Sequence, residues 1–571
     1  MKSPAARYEK YDLHADARRA HNYLTSMVDP AQDSLPYWRI VVNQNPAYAA
    51  HCRVDDAELV ASWSEALHCT MEILGTDDGR EILAGFRRHL LRSWGPKGLR
   101  YHEPYPWSNT LHSSFHEMAY VVSALNRWLS LEPDNAEVRR RLFGLTRGMR
   151  SLVWERRTRT FWSGDFPFEE PVYEFPNDVY MLDGGWDFSR VTGRGETSIR
   201  NGMMLQPLVE AYERFGDKVA LDLAVGTANY LLGTSRYFNY RGEFFGHVHS
   251  ATWVAGGLVR LARATGNADY AARGKQILDY VLSLSSSFGW VPEYAQWHPP
   301  AEESCETCCI KDAIFGCFEM IEAGHDEYWD VVNRFVRNQL NENQVKDGSF
   351  IGVDNSLPDE EARTYRDIDK RVVGGWSGGA KPNSISLRWF RSIAGCCVGT
   401  APQALHRVWQ NIVTKRGRRV TVNLPIDIDG GHCRVETGYP NEGWMQVTAK
   451  RAGEYAVRVL PFQQKGLRVT VNGRRRSAAV EDGCLQAGRL KRGDVIRLSH
   501  PVRNETRTEV VGGRRFRVTW RGCDVVKLSP KGDPLRLYQR ESGRPKEIPD
   551  PPPPGTRFGE ALEMRPTEQR K

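Results

Sequence analysis

The sequence lacks an apolar run long enough to cross a membrane, which takes about 20 consecutive residues. Its first residues, "MKSPAARYEKYDLHADARRAH", also lack the apolar segment that is typical of a secretory signal. We therefore expect a chain that works in the cytoplasm and has no membrane partner.

The sequence also lacks a recognisable nucleic-acid-binding module. Lys and Arg number 78 against 70 Asp and Glu, and the resulting net charge of +8 is spread along the chain. The largest basic run, Arg474, Arg475 and Arg476, follows Asn472 and Gly473 and is typical of a hairpin turn. Because nucleic-acid binding takes a basic face together with a binding module, we expect no nucleic-acid partner.

The cysteines do not suit a disulfide framework. There are 11 of them, an odd number, in a large chain without an export segment. Five fall in two short stretches, "SCETCC" (304–309) and "GCC" (395–397). Clustered thiols in a reducing compartment favour metal binding or catalysis, whereas scattered cysteines are typical of core or strand positions. The scattered cysteines are Cys52, Cys69, Cys317, Cys433, Cys484 and Cys523.

Residues 55–415 repeat one pattern, a helix, a short turn and a second helix. One example is "HVHSATWVAGGLVRLARATGNADYAARGKQILDYVLSL", with Thr-Gly-Asn at its turn. Long loops rich in aromatic, glycine and proline residues join the hairpins, and such loops usually build a site. The pattern predicts an (α/α)6-type helical barrel of about six hairpins with a site at one mouth. The aromatic, carboxylate and imidazole groups of the loops favour a carbohydrate ligand.

After residue 415 the pattern changes to short alternating or β-branched runs separated by turn residues. These runs predict a β-sandwich over 416–540, and "VNGR" (471–474) predicts one of its hairpin turns. We expect the Pro-rich tail, 541–571, to be extended or disordered. Residues 1–54 form a separate N-terminal segment that we expect to pack on one of the two domains. The predicted fold class is therefore multidomain, α plus β.

Two predicted helices begin in the cysteine-rich stretches. Glu306 and Cys308 stand at the start of one, and Cys396 and Cys397 open the other. Zn²⁺ takes four ligands drawn from thiolate, imidazole and carboxylate groups, and these four residues make such a set. A helix N-terminus also favours a thiolate, because its free N–H groups stabilise negative charge.

From the residues alone, a purely structural zinc site remains open. Such a site would use Cys305 or Cys309, the other two cysteines of "SCETCC", as a ligand. Spacing by itself does not indicate that any of these thiolates reacts with a sugar.

Three segments resemble glycoside hydrolase family 127: "EYAQWHPPAEESCETCC", the later "GCC", and the hairpin that begins "HVHSATWVAGG". That family comprises β-L-arabinofuranosidase-type enzymes with a zinc-bound cysteine nucleophile, and it places a helical barrel before a β-sandwich. The resemblance covers the chain from about residue 195 onward. It implies zinc ligands at Glu306, Cys308, Cys396 and Cys397, with Cys396 as the nucleophile.

The resemblance also implies an acid/base glutamate upstream of Glu-Thr-Cys. Glu293 is the best match, since Glu302 and Glu303 lie too close to the metal ligand Glu306. A substrate-binding histidine ahead of a helical hairpin is implied as well, and an indole ring can pack on a sugar. The predicted substrate-binding residues are His249, His247 and Trp290.

The chain departs from the family pattern in two places. Val398 and Gly399 stand where the family commonly has proline, and the segment between Glu293 and Glu306 is shorter. These departures leave the identity of the sugar open.

The stretch "LHSSFHE" offers one more candidate. His112, His116 and Glu117 do not all share one helix face, so we interpret them as a sugar-binding loop that enters a helix rather than as a metal triad.

The sequence therefore predicts a retaining glycoside hydrolase that releases a terminal furanose, of the β-L-arabinofuranoside type, and uses Zn²⁺. We expect a carbohydrate partner and leave a homodimer open. Two alternatives stand beside this prediction. One is a non-hydrolytic carbohydrate-binding barrel with structural zinc, and the other is a polysaccharide lyase or sugar epimerase on the same barrel.

Overall fold

The computed structural model describes residues 6–557 except 53–54, 109–110, 157–169, 190–195, 297–303, 388–391 and 478. Among these residues the longer helices lie before residue 413 and the longer strands after it. The α-helices are α1 (Leu13–Ser26), α2 (Val60–Leu74), α3 (Arg80–Leu90), α4 (Phe115–Leu131), α5 (Ala136–Arg150), α6 (Glu196–Gly202), α7 (Leu205–Phe215), α8 (Lys218–Asn229), α9 (Val248–Thr265), α10 (Ala268–Leu284), α11 (Thr307–Glu322), α12 (Tyr328–Phe335), α13 (Ile368–Arg371), α14 (Gly395–Ile412) and α15 (Pro461–Gln464). One-turn π-helices lie at Asp55–Leu59, Tyr230–Thr234 and Val336–Leu340, and 3₁₀ turns at Pro30–Gln32 and Pro96–Gly98.

The strands before the last long helix are short and belong to sheets of two or three strands. They are β1 (Val28–Asp29), β2 (Leu35–Pro36), β3 (Arg39–Val41), β4 (Tyr48–Ala50), β5 (His112–Ser114), β6 (Trp154–Arg156), β7 (Val172–Glu174), β8 (Val179–Met181), β9 (Gly246–His247), β10 (Tyr294–Ala295), β11 (Arg363–Thr364), β12 (Ala380–Lys381) and β13 (Ser384–Ile385). Those after it are β14 (Val413–Arg416), β15 (Arg419–Val422), β16 (Ile428–Asp429), β17 (Cys433–Thr437), β18 (Trp444–Ala449), β19 (Gly453–Arg458), β20 (Arg468–Val471), β21 (Arg474–Arg476), β22 (Val480–Glu481), β23 (Cys484–Leu490), β24 (Val495–Ser499), β25 (Asn504–Val511), β26 (Arg514–Arg521), β27 (Asp524–Ser529) and β28 (Leu535–Arg536).

Six helices form a closed ring. In order around the ring, α2, α4, α7, α9, α11 and α14 each contact the next, and α14 contacts α2. A second layer packs outside: α1 and α3 on α2, α5 on α4, α8 on α7, α10 on α9 and α12 on α11. Helix α9 is buried around most of its circumference, as a helix enclosed between an interior and an outer layer must be. This ring is the arrangement that the repeated hairpins predicted.

The turns between inner and outer helices explain why the chain reverses where it does. Gly266 ends α9 with φ +76°, a left-handed conformation that favours glycine, and the Asn267 side chain then caps α10. Gly216 and Asp217 do the same between α7 and α8. Because each outer helix returns the chain, the inner helices run in one direction and their N-termini meet at one mouth of the ring.

The strands β14 to β27 form two larger sheets and a smaller one, while β28 pairs with β13. The five-stranded sheet has the order β14-β15-β19-β23-β22, the six-stranded sheet β16-β17-β18-β24-β20-β21, and the smaller one β25-β26-β27. Alternate side chains of both larger sheets, such as Val457 and Val447, meet in one hydrophobic cluster. Asn472 and Gly473, both with positive φ, connect β20 to β21, which confirms the hairpin predicted for "VNGR".

The two ends of the chain contact each other and the body of the protein. Helix α1 packs on α2 and α14, and Tyr8 forms hydrogen bonds with Asn441 beside the strands. In the tail, the carbonyl oxygen of Pro552 accepts a hydrogen bond of 2.7 Å from the Asn45 side chain. Residues 558–571 of the predicted tail lie outside the described part of the chain. Among the described helices, none has the length and apolar character needed to span a bilayer.

A buried ion pair joins the helices to the strands. The Arg337 guanidinium, on a π-helix, donates to both carboxylate oxygens of Asp524 on β27, at 3.1 and 2.8 Å. Both side chains are only 1% exposed. Removing one partner of such a pair leaves an uncompensated buried charge.

We expect Asp524→Asn to lower the free energy of unfolding by about 3–5 kcal/mol, measured by urea denaturation. The matched control is Asp77→Asn, which breaks a pair with Arg80 in which both side chains are about 70% exposed. The control should change the free energy by about 1 kcal/mol or less. Equal losses in the two variants would contradict the expectation.

Candidate functional site

The two cysteine-rich stretches meet at the mouth of the helical ring. Glu306 is the N-cap of α11 and Cys308 lies in its first turn, while Cys396 and Cys397 lie in the first turn of α14. One ligand atom from each of these four residues lies within 4.8 Å of the others. The four residues form what we call the thiol–carboxylate cluster.

The spacing within the thiol–carboxylate cluster suits a tetrahedral metal site. The Cys308 and Cys397 Sγ atoms are 3.5 Å apart, as are the Cys396 Sγ and a Glu306 carboxylate oxygen. Ligand atoms bonded to Zn²⁺ at its usual distances to sulfur and oxygen lie about 3.5–3.8 Å from one another. Three thiols and one carboxylate are also a donor set that Zn²⁺ prefers, so the residues present fit that ion.

The electrostatics of the thiol–carboxylate cluster are those of a group that could hold a cation. Burial, followed by interactions with the neighbouring sulfurs, raises the pKa of the Cys308 thiol well above its usual value, and burial raises that of Cys397. Several thiolates this close repel one another, and a divalent ion at their centre removes that repulsion. The helix N-termini and the Thr400 hydroxyl, 3.2 Å from the Cys308 sulfur, add partial positive charge.

The other two cysteines of "SCETCC" lie beside the cluster and outside it. Cys305 forms a β-bridge with Ala380, and its sulfur accepts a long hydrogen bond of 3.8 Å from the Asn343 side-chain amide. Cys309 is fully buried. Neither belongs to the set of four whose ligand atoms converge.

A cavity of about 250 Å³ opens next to the cluster at the N-terminal ends of the inner helices. Cys396 is the cysteine of the cluster that lines it: this residue is 5% exposed, whereas Cys308 and Cys397 are 0% exposed. The Cys396 sulfur therefore faces a space where a small molecule can approach it. The described lining residues are Trp38, Glu58, His112, Ser114, His116, Glu117, Tyr120, Asp178, Val179, Ile199, Met203, His247, His249, Glu306 and Cys396.

His249 and His247, both predicted to bind substrate, lie in the wall of this cavity. Nε2 of His249 is 3.0 Å from the Tyr120 hydroxyl, and Nδ1 contacts the Asp312 carboxylate. Burial opposes a charge on His249, but Asp312 outweighs it and raises the pKa of the imidazole. Nε2 of His247 lies 3.3 Å from a Glu306 oxygen. The cavity thus offers imidazole groups with fixed orientations.

Glu293 and Trp290 do not appear among the described residues that line the cavity. Glu293 is buried just before β10, and its carbonyl oxygen accepts a hydrogen bond of 2.9 Å from the backbone N–H of Val248, where α9 begins. Trp290 is 0% exposed, and its indole N–H donates to the Ala380 carbonyl oxygen at 3.0 Å. Glu302 and Glu303 lie outside the described residues.

The stretch "LHSSFHE" does contribute to the cavity wall. His112 is on β5, and His116 and Glu117 open α4. His116 is 2.9 Å from a carboxylate oxygen of Asp178, and this attraction exceeds the effect of burial and raises the pKa of His116 to about 10. Glu117 contacts His102, 2.7 Å away, which keeps the pKa of Glu117 below its usual range despite burial.

Glu58 is a cavity residue that the sequence analysis missed. It lies on the π-helix Asp55–Leu59 that precedes α2, and burial, with the charge of Cys396 next, raises its pKa to about 8. Its nearest ionic partner, Nε2 of His116, is 3.9 Å away. Within "DDAELV" the glutamate had only the pattern of a first helical turn, so no local signal distinguished it. Burial thus disfavours the charged form of this carboxyl group.

Comparisons with known proteins give a clear result at the level of structure only. No protein-family model and no curated protein matches the chain. A β-L-arabinofuranosidase of family GH127 from Geobacillus stearothermophilus T6 matches in structure with a TM-score of 0.53 and 16% sequence identity, over 90% of this chain and 80% of that one.

Two further solved structures are also similar. A β-arabinofuranosidase of family GH127 has a TM-score of 0.58 and 15% identity over 91% of this chain and 84% of its own. A protein described as a glycoside hydrolase has a TM-score of 0.55 and 13% identity, over 88% and 85% of the two chains. The resemblance to family GH127 is therefore confirmed as a likeness of fold.

Proposed function

We propose that the chain is a retaining glycoside hydrolase that releases a terminal furanose of the β-L-arabinofuranoside type. Cys396 is the nucleophile, and a glutamate is the acid/base. The scaffold of this enzyme is a helical barrel over 55–415, followed by a β-sandwich over 416–540 whose two layers are the five- and six-stranded sheets. The sugar is suggested by the two β-arabinofuranosidases of family GH127 that share the fold.

One observation carries the proposal: of the three cysteines in the thiol–carboxylate cluster, only Cys396 lines the cavity, which also has histidine and carboxyl groups in its wall. A site that served only structure would enclose all of its ligands. Here Cys308 and Cys397 are closed off, whereas Cys396 lines the cavity together with histidines and carboxyl groups. A nucleophile and groups that can donate and accept protons therefore share one space.

Glu306, Cys308, Cys396 and Cys397 would hold the cofactor Zn²⁺. When bound, Zn²⁺ supplies the positive charge that keeps Cys396 as a thiolate at neutral pH.

The residues of the chain would then carry out a double displacement. The Cys396 sulfur attacks the anomeric carbon while a protonated glutamate donates its proton to the leaving oxygen. The same glutamate, now a carboxylate, takes a proton from water, and this water attacks the anomeric carbon and releases the Cys396 thiolate. The anomeric configuration is retained because it is inverted twice.

The shape and lining of the cavity suit one small sugar. A volume of about 250 Å³ has room for a single ring with its hydroxyl groups. His249, His247 and His116 face it as hydrogen-bonding groups, and Val179, Ile199 and Met203 add apolar surface. A space with room for one ring favours release of a terminal residue over cleavage within a polymer.

Two glutamates are candidates for the acid/base role. The family resemblance assigns it to Glu293, whereas Glu58 is a carboxyl group that lines the cavity and whose pKa is raised to about 8, mainly by burial. We expect Glu293→Gln to lower kcat by about 10²–10⁴-fold, most for poor leaving groups, because the lost step is proton donation. Glu58→Gln is the matched comparison and should lower kcat equally for good and poor leaving groups. The reverse pattern would assign the role to Glu58.

The proposal is tested with a panel of aryl α- and β-furanosides and pyranosides, incubated with and without a zinc chelator. We expect hydrolysis of a β-L-arabinofuranoside, with retained configuration, and loss of this activity with the chelator. Sugar-dependent thermal stabilisation without any hydrolysis would instead favour the carbohydrate-binding alternative. Unsaturated products that absorb in the ultraviolet would favour a lyase.

A further inference from the structure

A layer of buried side chains separates the cavity next to the thiol–carboxylate cluster from a second cavity further along the ring. The second cavity has a volume of about 360 Å³, and all six inner helices contribute to its wall. Tyr120 and His249 line the first cavity, whereas Trp253 and Lys311 line the second, and in the described part of the chain no residue lines both. The Trp253 ring packs against the rings of Tyr120 and His249, with centroids 5.2 and 5.8 Å away. Groups on the two sides of this layer are therefore in contact.

A continuous chain of polar contacts crosses the layer. The Lys311 ammonium donates a hydrogen bond of 2.9 Å to one carboxylate oxygen of Asp312, and the other oxygen contacts Nδ1 of His249. Nε2 of His249 is 3.0 Å from the Tyr120 hydroxyl. None of these four residues is more than 4% exposed. From the second cavity to the first, the order is ammonium, carboxylate, imidazole and hydroxyl.

Two aromatic rings hold the Lys311 end of this chain in place. The ammonium lies 4.8 Å from the centre of the Trp253 ring and 4.4 Å from that of Phe315, which is one turn further along α11. An ammonium at this depth is costly unless it is paired, and Asp312 is the carboxylate that pairs with it. Lys311 therefore keeps one oxygen of Asp312 occupied and fixes the rotation of the carboxylate group.

The Asp312 carboxylate determines which nitrogen of His249 carries the proton. Burial opposes the charge on Asp312, but Lys311 and His249 outweigh it and keep the pKa of Asp312 below its usual range. An ionised carboxylate can only accept hydrogen bonds, so the nitrogen that faces it, Nδ1, must be an N–H donor. Nε2 is then the nitrogen on the side of Tyr120 and the first cavity.

We propose that Lys311 and Asp312 are positioning residues for His249. They hold the imidazole proton on Nδ1, so that Nε2 and the Tyr120 hydroxyl form a pair of fixed orientation that receives a hydroxyl group of the sugar. Neither Lys311 nor Asp312 is among the described residues that line the first cavity, so both act through His249. The effect on the sugar rests on the proposed function, whereas the effect on His249 does not.

Asp312→Asn tests the carboxylate, because the orientation of an amide at this position depends on Lys311. The ammonium can donate only to the amide oxygen, which leaves the amide N–H₂ group facing Nδ1 of His249. Nδ1 must then accept a hydrogen bond, and the imidazole proton moves to Nε2. The same exchange of carboxylate for amide puts the imidazole proton on the wrong nitrogen in a Ser-His-Asp triad.

The double variant Lys311→Met with Asp312→Asn is the matched control. Methionine is unbranched and fills much of the space of the lysine stem, yet it has no N–H donor in its side chain. The amide is then free to turn its oxygen towards His249, and the imidazole proton should return to Nδ1. A role limited to packing or to the balance of buried charge does not predict this reversal.

The test is NMR of the full-length protein, supplied with zinc, labelled with nitrogen isotope at histidine and measured without substrate. Correlations between ring protons and ring nitrogens show which nitrogen is protonated, and His249→Gln identifies the signals of His249. We expect Nδ1 to be protonated in the unaltered protein and in the double variant, and unprotonated in Asp312→Asn. His116, whose Nδ1 lies 2.9 Å from Asp178, is the internal control and should give the same signals in every variant.

An unprotonated Nδ1 in the unaltered protein would overturn the proposal, and so would a folded Asp312→Asn variant that keeps the proton on Nδ1. A double variant that did not restore the proton would overturn the role of Lys311. If the His116 signals show that Asp312→Asn does not fold, the unaltered protein and Lys311→Met decide the question. Nδ1 should carry its proton in both, and its absence from either would contradict the assignment.

The consequence for the reaction is measured on an aryl furanoside that the unaltered protein hydrolyses. Asp312→Asn should lower kcat/KM by about 10- to 100-fold, as expected when one buried hydrogen bond to the substrate is lost, and the double variant should recover most of this loss. An unchanged kcat/KM beside a shifted proton would overturn the positioning role. If no glycoside is hydrolysed, the proposed function fails while the NMR result on His249 stands, so the two failures are distinguishable.

Discussion

Replacing Cys396 by alanine or serine is expected to abolish turnover of a responsive aryl furanoside while the fold survives. The loss in kcat should be roughly 10⁴-fold or more, since removal of a nucleophile eliminates the covalent step altogether. The fold should persist because Cys396 lines a cavity and is less enclosed than Cys308 and Cys397. Activity is measured by release of the aryl group, and folding by circular dichroism.

The matched control is Cys309→Ala. Cys309 is adjacent to the cluster, is fully buried and is not one of the four converging residues. It should keep most of its activity, whatever packing it loses. Full activity of Cys396→Ser would refute the proposed nucleophile, because serine without metal assistance is a far weaker nucleophile than a thiolate.

Removing the metal is expected to have the second large effect, on both activity and stability. Cys308→Ser should lower the zinc content below one ion per chain, because three sulfurs of the thiol–carboxylate cluster are needed to complete four ligands with Glu306. A bound ion stabilises the fold according to its affinity, by about 4 kcal/mol when zinc is a thousandfold above its Kd. The free energy of unfolding should fall by a comparable amount.

Zinc content is measured by elemental analysis and stability by denaturant unfolding, so the readout does not depend on activity. Cys317→Ser, on the same helix and equally buried but outside the cluster, is the control and should retain its zinc. A chelator applied to the unaltered protein should reproduce the effect of Cys308→Ser, and added zinc should reverse it. A Cys308→Ser variant that still held one zinc ion tightly would contradict the ligand assignment.

Local sequence patterns predicted the helical hairpins and the later strands of this protein. Apolar spacing with glycine and asparagine at the turns predicted the hairpin of α9 and α10, since capping and left-handed turns depend on residues within a few positions of each other. The same holds for the Asn472–Gly473 turn between β20 and β21. Residue chemistry also indicated Glu306 and the clustered cysteines as a candidate metal-binding set, and the family resemblance selected Cys308, Cys396 and Cys397 among those cysteines.

Tertiary structure decided which of these residues meet and which face a cavity. The contact between Glu306 and Cys396 joins positions 90 residues apart, and it depends on α11 and α14 being neighbours in a closed ring. Exposure is decided in the same way: Cys396 opens to a cavity while Cys397, its neighbour in sequence, is enclosed.

The same long-range packing explains the residues that the sequence did not reveal. Glu58 enters the cavity because a π-helix precedes α2, and Asp312 holds His249 because α9 and α11 are adjacent. Trp290, an attractive sugar platform by residue type, lies in the core with its indole bonded to Ala380. The sequence by itself determined which side chains can bind a metal or a sugar and where the helices and strands lie. Which of these side chains are buried, and which of them contact each other, follows from the closure of the ring. No local pattern encodes that closure.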